Sequence, residues 1–193
     1  MTKGRVEAFS DGVIAILITI MVLELHSPDG AEWAALVPVL PVFLAYVLSF
    51  VILGIYWNNH HHMLHATKQV DGAVLWANLH LLFWLSLIPF GTGWVGNSHF
   101  APLPLALYGT VLLFCAIAYT ILQTVIIAHH GMTAEVAEAL HHDLKGKASL
   151  VLYAAAIPLG FVWRWLAVAI YVTVALVWLV PDRRIEKTLR RSA

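Results

Sequence analysis

The sequence predicts an all-α membrane protein with six transmembrane helices per subunit, and three observations predict it. Of the 193 residues, 61% are hydrophobic and only 11% are charged, with a mean hydropathy of +0.81; soluble domains carry roughly 25% charged residues. The apolar residues form long runs separated by short polar breaks, and a bilayer core of roughly 30 Å calls for runs of that length. The basic residues divide unevenly between alternate breaks. With both termini in the cytoplasm, ten of the eleven Lys and Arg fall on the cytoplasmic side: Lys3, Arg5, Lys68, Lys145, Lys147, Arg183, Arg184, Lys187, Arg190 and Arg191. Only Arg164 falls outside, a strong positive-inside asymmetry. An odd number of spans would place the basic start and the basic tail on opposite sides. The expectation is one multi-pass domain over residues 1–193, set in the cell (inner) membrane.

The first span, roughly 5–26, reads RVEAFSDGVIAILITIMVLEL from Arg5. Its apolar part, residues 12–23, is only about 18 Å long at ~1.5 Å per residue. Spanning therefore draws Ser10, Asp11 and Glu24 toward membrane depth, where an ionisable group is expensive unless it faces protein or water. This helix is expected on the inside of the assembly. It lacks the order of a signal peptide and is expected to be retained. HSPDGAE, with Pro28 and Gly30, is a turn. The second span, roughly 36–64, carries Pro38 and Pro41 near its start, where proline suits a first helical turn. Its histidine-rich end, NNHHHMLH, is expected to project into water.

The third span, roughly 72–94, is apolar but carries Asn78 and His80, and PFGTGWVGNSHFAP at its end reads as a loop rich in Gly and Pro. The fourth, roughly 103–128, holds the one cysteine, Cys115, in LLFCAIA, where it reads as a small buried apolar side chain. Residues 129–147 form a polar connection, within which 134–144 fits a short amphipathic surface helix capped by Thr133. The last apolar stretch is too long for one span and is interrupted by Pro158 and Gly160. An Arg between two Trp, at Trp163-Arg164-Trp165, suits a membrane–water interface, which divides the stretch into spans at roughly 148–163 and 165–180. The formal net charge of zero argues against a general nucleic-acid binder.

At 100° per residue, Gly12, Ile16, Thr19 and Leu23 fall on one stripe of the first helix. Two readings of that stripe compete. In one it is helix-packing surface, with Gly12 allowing close approach and Thr19 bonding back to its own helix. In the other, several copies surround an axis: rings of Ile16 and Leu23 form hydrophobic constrictions, and a ring of Thr19 hydroxyls replaces part of an ion's water shell. Six short spans give one chain too few walls for a pore, so this reading demands a closed cyclic oligomer. Arg5, Ser10 and Asp11 need partners, and the polar groups at depth in the next two spans are Trp57, His60 and Asn78. Such a network would hold the first helix at a fixed angle without lying in the conduction path.

R-x-x-x-F-S-D at Arg5, Phe9, Ser10 and Asp11, followed by G-V-x-A-I and L-E-L, resembles the opening of the transmembrane protein 175 family, potassium channels of prokaryotes and of endosomes and lysosomes. The resemblance extends to S-F-V-I-L-G-I-Y-W-x-x-H from Ser49 to His60 and to Asn78-Leu79 followed by Pro89-Phe90. It covers the first three spans by motif and the last three by hydropathy. It implies a homotetramer of six-helix subunits around a pore lined by the first helices, without the T-V-G-Y-G filter of ordinary potassium channels. It further implies the narrowest ring at Ile16, a hydroxyl ring at Thr19 and more apolar rings at Ile20 or Leu23. Arg5, Phe9, Ser10, Asp11, Trp57, His60 and Asn78 would match the family's packing network. One departure is His61 and His62, where relatives often carry a basic residue; histidine makes the charge of the cytoplasmic mouth depend on pH.

The expected function is passive, potassium-favouring cation conduction, with potassium as the permeant ion, no cofactor, no enzymatic activity and no nucleic-acid partner. Two alternatives differ in class. A proton- or ion-coupled transporter would use Asp11 as its titrating group. A His-rich membrane metalloprotein would draw on the 11 histidines, among which His61 and His65 stand at i, i+4 on one helix face. Against the metal reading, no Cys or carboxylate sits beside those histidines in ligand spacing along the chain, and no metal site is expected.

Overall fold

A computed structural model describes residues 2–67, 69–130 and 144–179. Every regular element among them is helical. α1 spans Lys3–Ile20 and tightens into a 3-10 turn at Met21–Glu24. A second 3-10 turn, Trp33–Leu36, leads into α2, Leu40–Ala66, with proline in its first turn. α3 spans Gly72–Ser86 and α4 spans Ile88–Asn97. α5 is Pro102–His130, α6 is Leu144–Val162 and α7 is Arg164–Leu179. The segment 134–144, expected as a surface helix, lies for all but its last residue outside the described residues.

Among the described residues, five segments are long and apolar enough to cross a membrane: Lys3–Glu24, Leu40–His65, Gly72–Asn97, Pro102–Ala128 and Leu144–Val162. The sixth apolar helix, α7, is shorter, at 16 residues. The division at Trp163 is sharp. The Trp163 N–H closes α6 onto Leu159 O, and the Leu166 N–H opens α7 on Trp163 O, each at 2.9 Å.

Two expectations are corrected. Residues 89–97 are not loop but helix α4. Pro89 lies in its first turn, where the missing N–H would have had no helical partner. The glycines there serve packing: a Cβ on Gly96 would meet Val42 Cα at 2.7 Å, and one on Gly91 would meet Tyr108 Cδ2 at 3.0 Å. The chain turns only at His99 and Phe100, both left-handed with φ of 53° and 60°, and the Phe100 N–H returns to Val95 O at 2.9 Å. The histidine-rich end of α2 also projects less than expected. His62 and His65 are exposed, but His60 is fully buried, because its ring turns inward to Asn78 of α3.

α5 is the central post. Leu112, Cys115, Ala118, Leu122 and Ile126 recur every three or four residues and are all fully buried, against α3 and α4 on one side and α6 and α7 on the other. The cysteine is thus core, as its surroundings in the sequence imply. Among apolar helices in lipid, close packing and buried hydrogen bonds hold such a bundle, since lipid tails are as apolar as leucine. α1 lies at its edge, packed on α2, α3 and α4.

Candidate functional site: the two faces of the first helix

α1 buries one face and exposes the other. Val6, Ser10, Ile14, Leu17 and Met21, spaced by three or four residues, are buried. Phe9 (51%), Ile16 (62%), Ile20 (46%) and Leu23 (71%) are exposed, as are Gly12 and Thr19 between them. An apolar helix has no reason of its own to choose one face for the core, so the polar residues make the choice.

Ser10 is the centre of the buried face. Its hydroxyl donates to Val6 O at 2.8 Å and accepts from Asn78 Nδ2 of α3 at 2.9 Å. Asn78 Oδ1 is 2.7 Å from His60 Nε2 of α2. Because that amide oxygen can only accept, the imidazole proton sits on Nε2. The result is one directed chain, His60 to Asn78 to Ser10 to the α1 backbone. His60 Nδ1 is left buried without a partner among the described residues, and a bare ring nitrogen there is the cost of that tautomer. One residue around the helix, Asp11 Oδ1 accepts from Trp57 Nε1 of α2 at 3.1 Å. Ser10, Asp11, Trp57, His60 and Asn78 are thereby brought together. Arg5 and Phe9 are not: both are exposed within one chain, and no side-chain bond of Arg5 is found among the described residues.

On the exposed face, Thr19 Oγ1 lies 3.0 Å from both Ala15 O and Ile16 O of its own helix. Its one hydrogen is committed backward, and its lone pairs are what remain to face outward. A hydroxyl in that state can accept from water or coordinate a cation but cannot donate. The back-bond is thus common to the packing and pore readings and does not separate them.

Sequence reasoning missed a second polar cluster. Thr92 Oγ1 of α4 sits 2.6 Å from Ser49 Oγ of α2 and 2.7 Å from Ile88 O, and Ser49 Oγ is 2.8 Å from the Tyr108 hydroxyl of α5. Thr92 also reaches Met21 Sδ at 3.8 Å, so the far end of α1 rests on this cluster. Ser49 within the apolar first half of α2 was the available signal. Glu24, at the end of the 3-10 turn, lies against α4: a Cβ on Gly93 would meet its Oε2 at 2.9 Å. Sequence also placed no carboxylate near the α2 histidines. Folding does, setting Glu7 Oε1 3.0 Å from His61 Nδ1, with Asp11 beside them.

A family model described as endosomal/lysosomal potassium channel TMEM175 matches residues 5–89, which span α1 to the start of α4. A potassium channel of Chryseobacterium sp. (strain P1-3) is 56% identical over 192 residues, covering 100% of each chain. The endosomal/lysosomal proton channel TMEM175 of Homo sapiens is 40% identical over 96 residues, covering 43% of this chain and only 19% of that longer one. Among solved structures, the crystal structure of a lysosomal potassium-selective channel TMEM175 homolog from Chamaesiphon minutus superimposes with a TM-score of 0.78 at 29% identity. It covers 92% of this chain and 96% of that one.

Proposed function

This chain belongs to the TMEM175 family, and on that premise we propose that it is a potassium-favouring cation channel of the cell membrane. Four copies assemble around a central axis, and the exposed face of each α1 lines the pore. The family and its relatives are ion channels, not enzymes. In keeping with that, Ser10 is no nucleophile, since its proton is held by Val6 O.

The observation that carries the pore assignment is the asymmetry of α1. Its back is fixed by Ser10–Asn78 and Asp11–Trp57, while its front presents Ile16, Ile20 and Leu23 around a single hydroxyl, Thr19. A ring of four Ile16 side chains makes a constriction too apolar to hold water when narrow, which is how hydrophobic gates close. Four Thr19 hydroxyls, about one turn further along, offer lone pairs to a partly dehydrated cation. One such ring coordinates less completely than stacked carbonyl cages do, so selectivity is modest. Arg5, Phe9, Ser10, Asp11, Trp57, His60 and Asn78 brace the helix and stay outside the ion path. Arg5 and Phe9, exposed in the single chain, would pack against neighbouring subunits.

Both termini lie in the cytoplasm and the chain crosses six times, α3 and α4 together making the third crossing. α7, about 24 Å long by its helical rise, completes the sixth with Trp163, Arg164 and Trp165 at the outer interface.

Bi-ionic reversal potentials of the purified protein in planar bilayers test this. Discrete current steps with a reversal potential favouring potassium over sodium are expected. Saturable, gradient-coupled flux without steps would instead indicate a transporter.

A further inference from the structure

We propose that Glu7, Asp11 and His61 form a binding site for a divalent transition metal of the Zn²⁺ class, joining the first turns of α1 to the last turns of α2. The three ligand atoms all lie within 4.8 Å of one another. A metal 2.0–2.2 Å from each would set them about 3.4 Å apart in a tetrahedron. The Glu7–His61 pair, at 3.0 Å, is already that close. Side-chain rotation in Glu7 and Asp11 supplies the remaining closure.

Charge argues for a cation there. Glu7 and Asp11 stand at i, i+4 on α1, where like charges repel. Among the described residues neither has a Lys or Arg within ion-pair distance, and His61 is the one ionisable partner found. The nearby cations are turned elsewhere: Lys3 Nζ donates to His65 O at 2.5 Å, and Arg5 is exposed. One doubly charged ion balances the two carboxylates.

The surroundings already orient the ligands. Trp57 Nε1 holds Asp11 at 3.1 Å, the kind of outer contact that fixes a metal-binding side chain. The His61 ring stacks between Trp57 and His65, with centroids at 6.2 and 6.1 Å. An imidazole beside carboxylates favours Zn²⁺ and its neighbours over Mg²⁺ or Ca²⁺, which take oxygen ligands. Three protein ligands leave a fourth position for water, so the site is exchangeable and not a closed structural one.

Binding stands apart from the channel reading; its consequence rests on that reading. Asp11 precedes Ile16 by about 7.5 Å along α1, so an ion tying Asp11 and Glu7 to α2 would hinder any tilt of α1 that widens the Ile16 ring, and zinc would act as a cytoplasmic-side inhibitor.

The test uses the purified, metal-stripped full chain, with Co²⁺ as an optical probe and Zn²⁺ by calorimetry. One ion per chain is expected, with the visible bands of a four-coordinate Co²⁺ site that Zn²⁺ abolishes and Mg²⁺ does not. Glu7→Gln and His61→Asn should each weaken binding by more than the roughly 10- to 100-fold that losing an outer partner costs, and His62→Asn should not. Equal affinity in all three variants, or no binding by the parent protein, overturns the proposal. A measurement on the unaltered protein covers the case in which variants fail to fold. Zn²⁺ should protect His61, but not His62, from diethylpyrocarbonate, read by peptide mass spectrometry; equal modification with and without Zn²⁺ overturns it as well.

Discussion

The two faces of α1 are made of nearly the same residue types and behave differently. The buried face holds Val6, Ile14, Leu17 and Met21, and the exposed face holds Ile16, Ile20 and Leu23. Apolar content therefore cannot decide which side is which. The decision lies with two adjacent polar residues. Ser10 and Asp11 each find a partner on α2 or α3, and those bonds turn the helix so that the Thr19 hydroxyl, near its C-terminal end, points away from the bundle. In a membrane, where hydrophobic burial does not discriminate between lipid and protein, a few polar bonds set helix orientation.

The largest effect is expected from removing the bond at the centre of the buried face. Asn78→Leu keeps the volume but strips partners from both Ser10 and His60, at about 1–3 kcal/mol for each group left unpaired. A clear loss of thermal stability and of assembled protein on size exclusion should follow. Next comes Ile16→Ala on the exposed face, which widens the proposed constriction; a tenfold rise in leak conductance corresponds to about 1.4 kcal/mol and should occur with the melting temperature nearly unchanged. Thr19→Val, which replaces a hydroxyl by a methyl, should lower the potassium-over-sodium permeability ratio severalfold, read from reversal potentials, and again leave assembly intact. The smallest effect belongs to Trp57→Phe. It removes one indole donor from Asp11 and should cost about 0.6 kcal/mol, the average for a hydrogen bond between membrane helices, seen as a slight fall in melting temperature. If Thr19→Val or Ile16→Ala destabilised the fold as much as Asn78→Leu, the two faces would not differ in kind.

Much of this was legible in the sequence. Polar breaks between apolar runs located the helices, and the 100° periodicity placed Gly12, Ile16, Thr19 and Leu23 together. The need of Ser10 and Asp11 for partners was legible too, because such groups are rare within spans. The glycines of α4 were not. Gly91, Gly93 and Gly96 read as turn formers, and only the closeness of Tyr108, Glu24 and Val42 shows that they are contact surfaces. The Ser49–Thr92–Tyr108 cluster escaped because serine and threonine in a helix usually bond to their own backbone, so their sequence positions do not reveal a partner on another helix. The approach of Glu7 and Asp11 to His61 joins residues 50 or more positions apart, and no spacing rule along one helix anticipates it.

The most direct test of the claim that the exposed face of α1 lines the ion path is cysteine accessibility at Ile16. With the buried Cys115 replaced by alanine, an Ile16→Cys protein should lose its current when a charged, water-soluble methanethiosulfonate reagent is added, because the thiol projects into the pore. Unchanged current, with the same thiol reacting only with a lipid-soluble maleimide, would place that face against the bilayer and contradict the assignment.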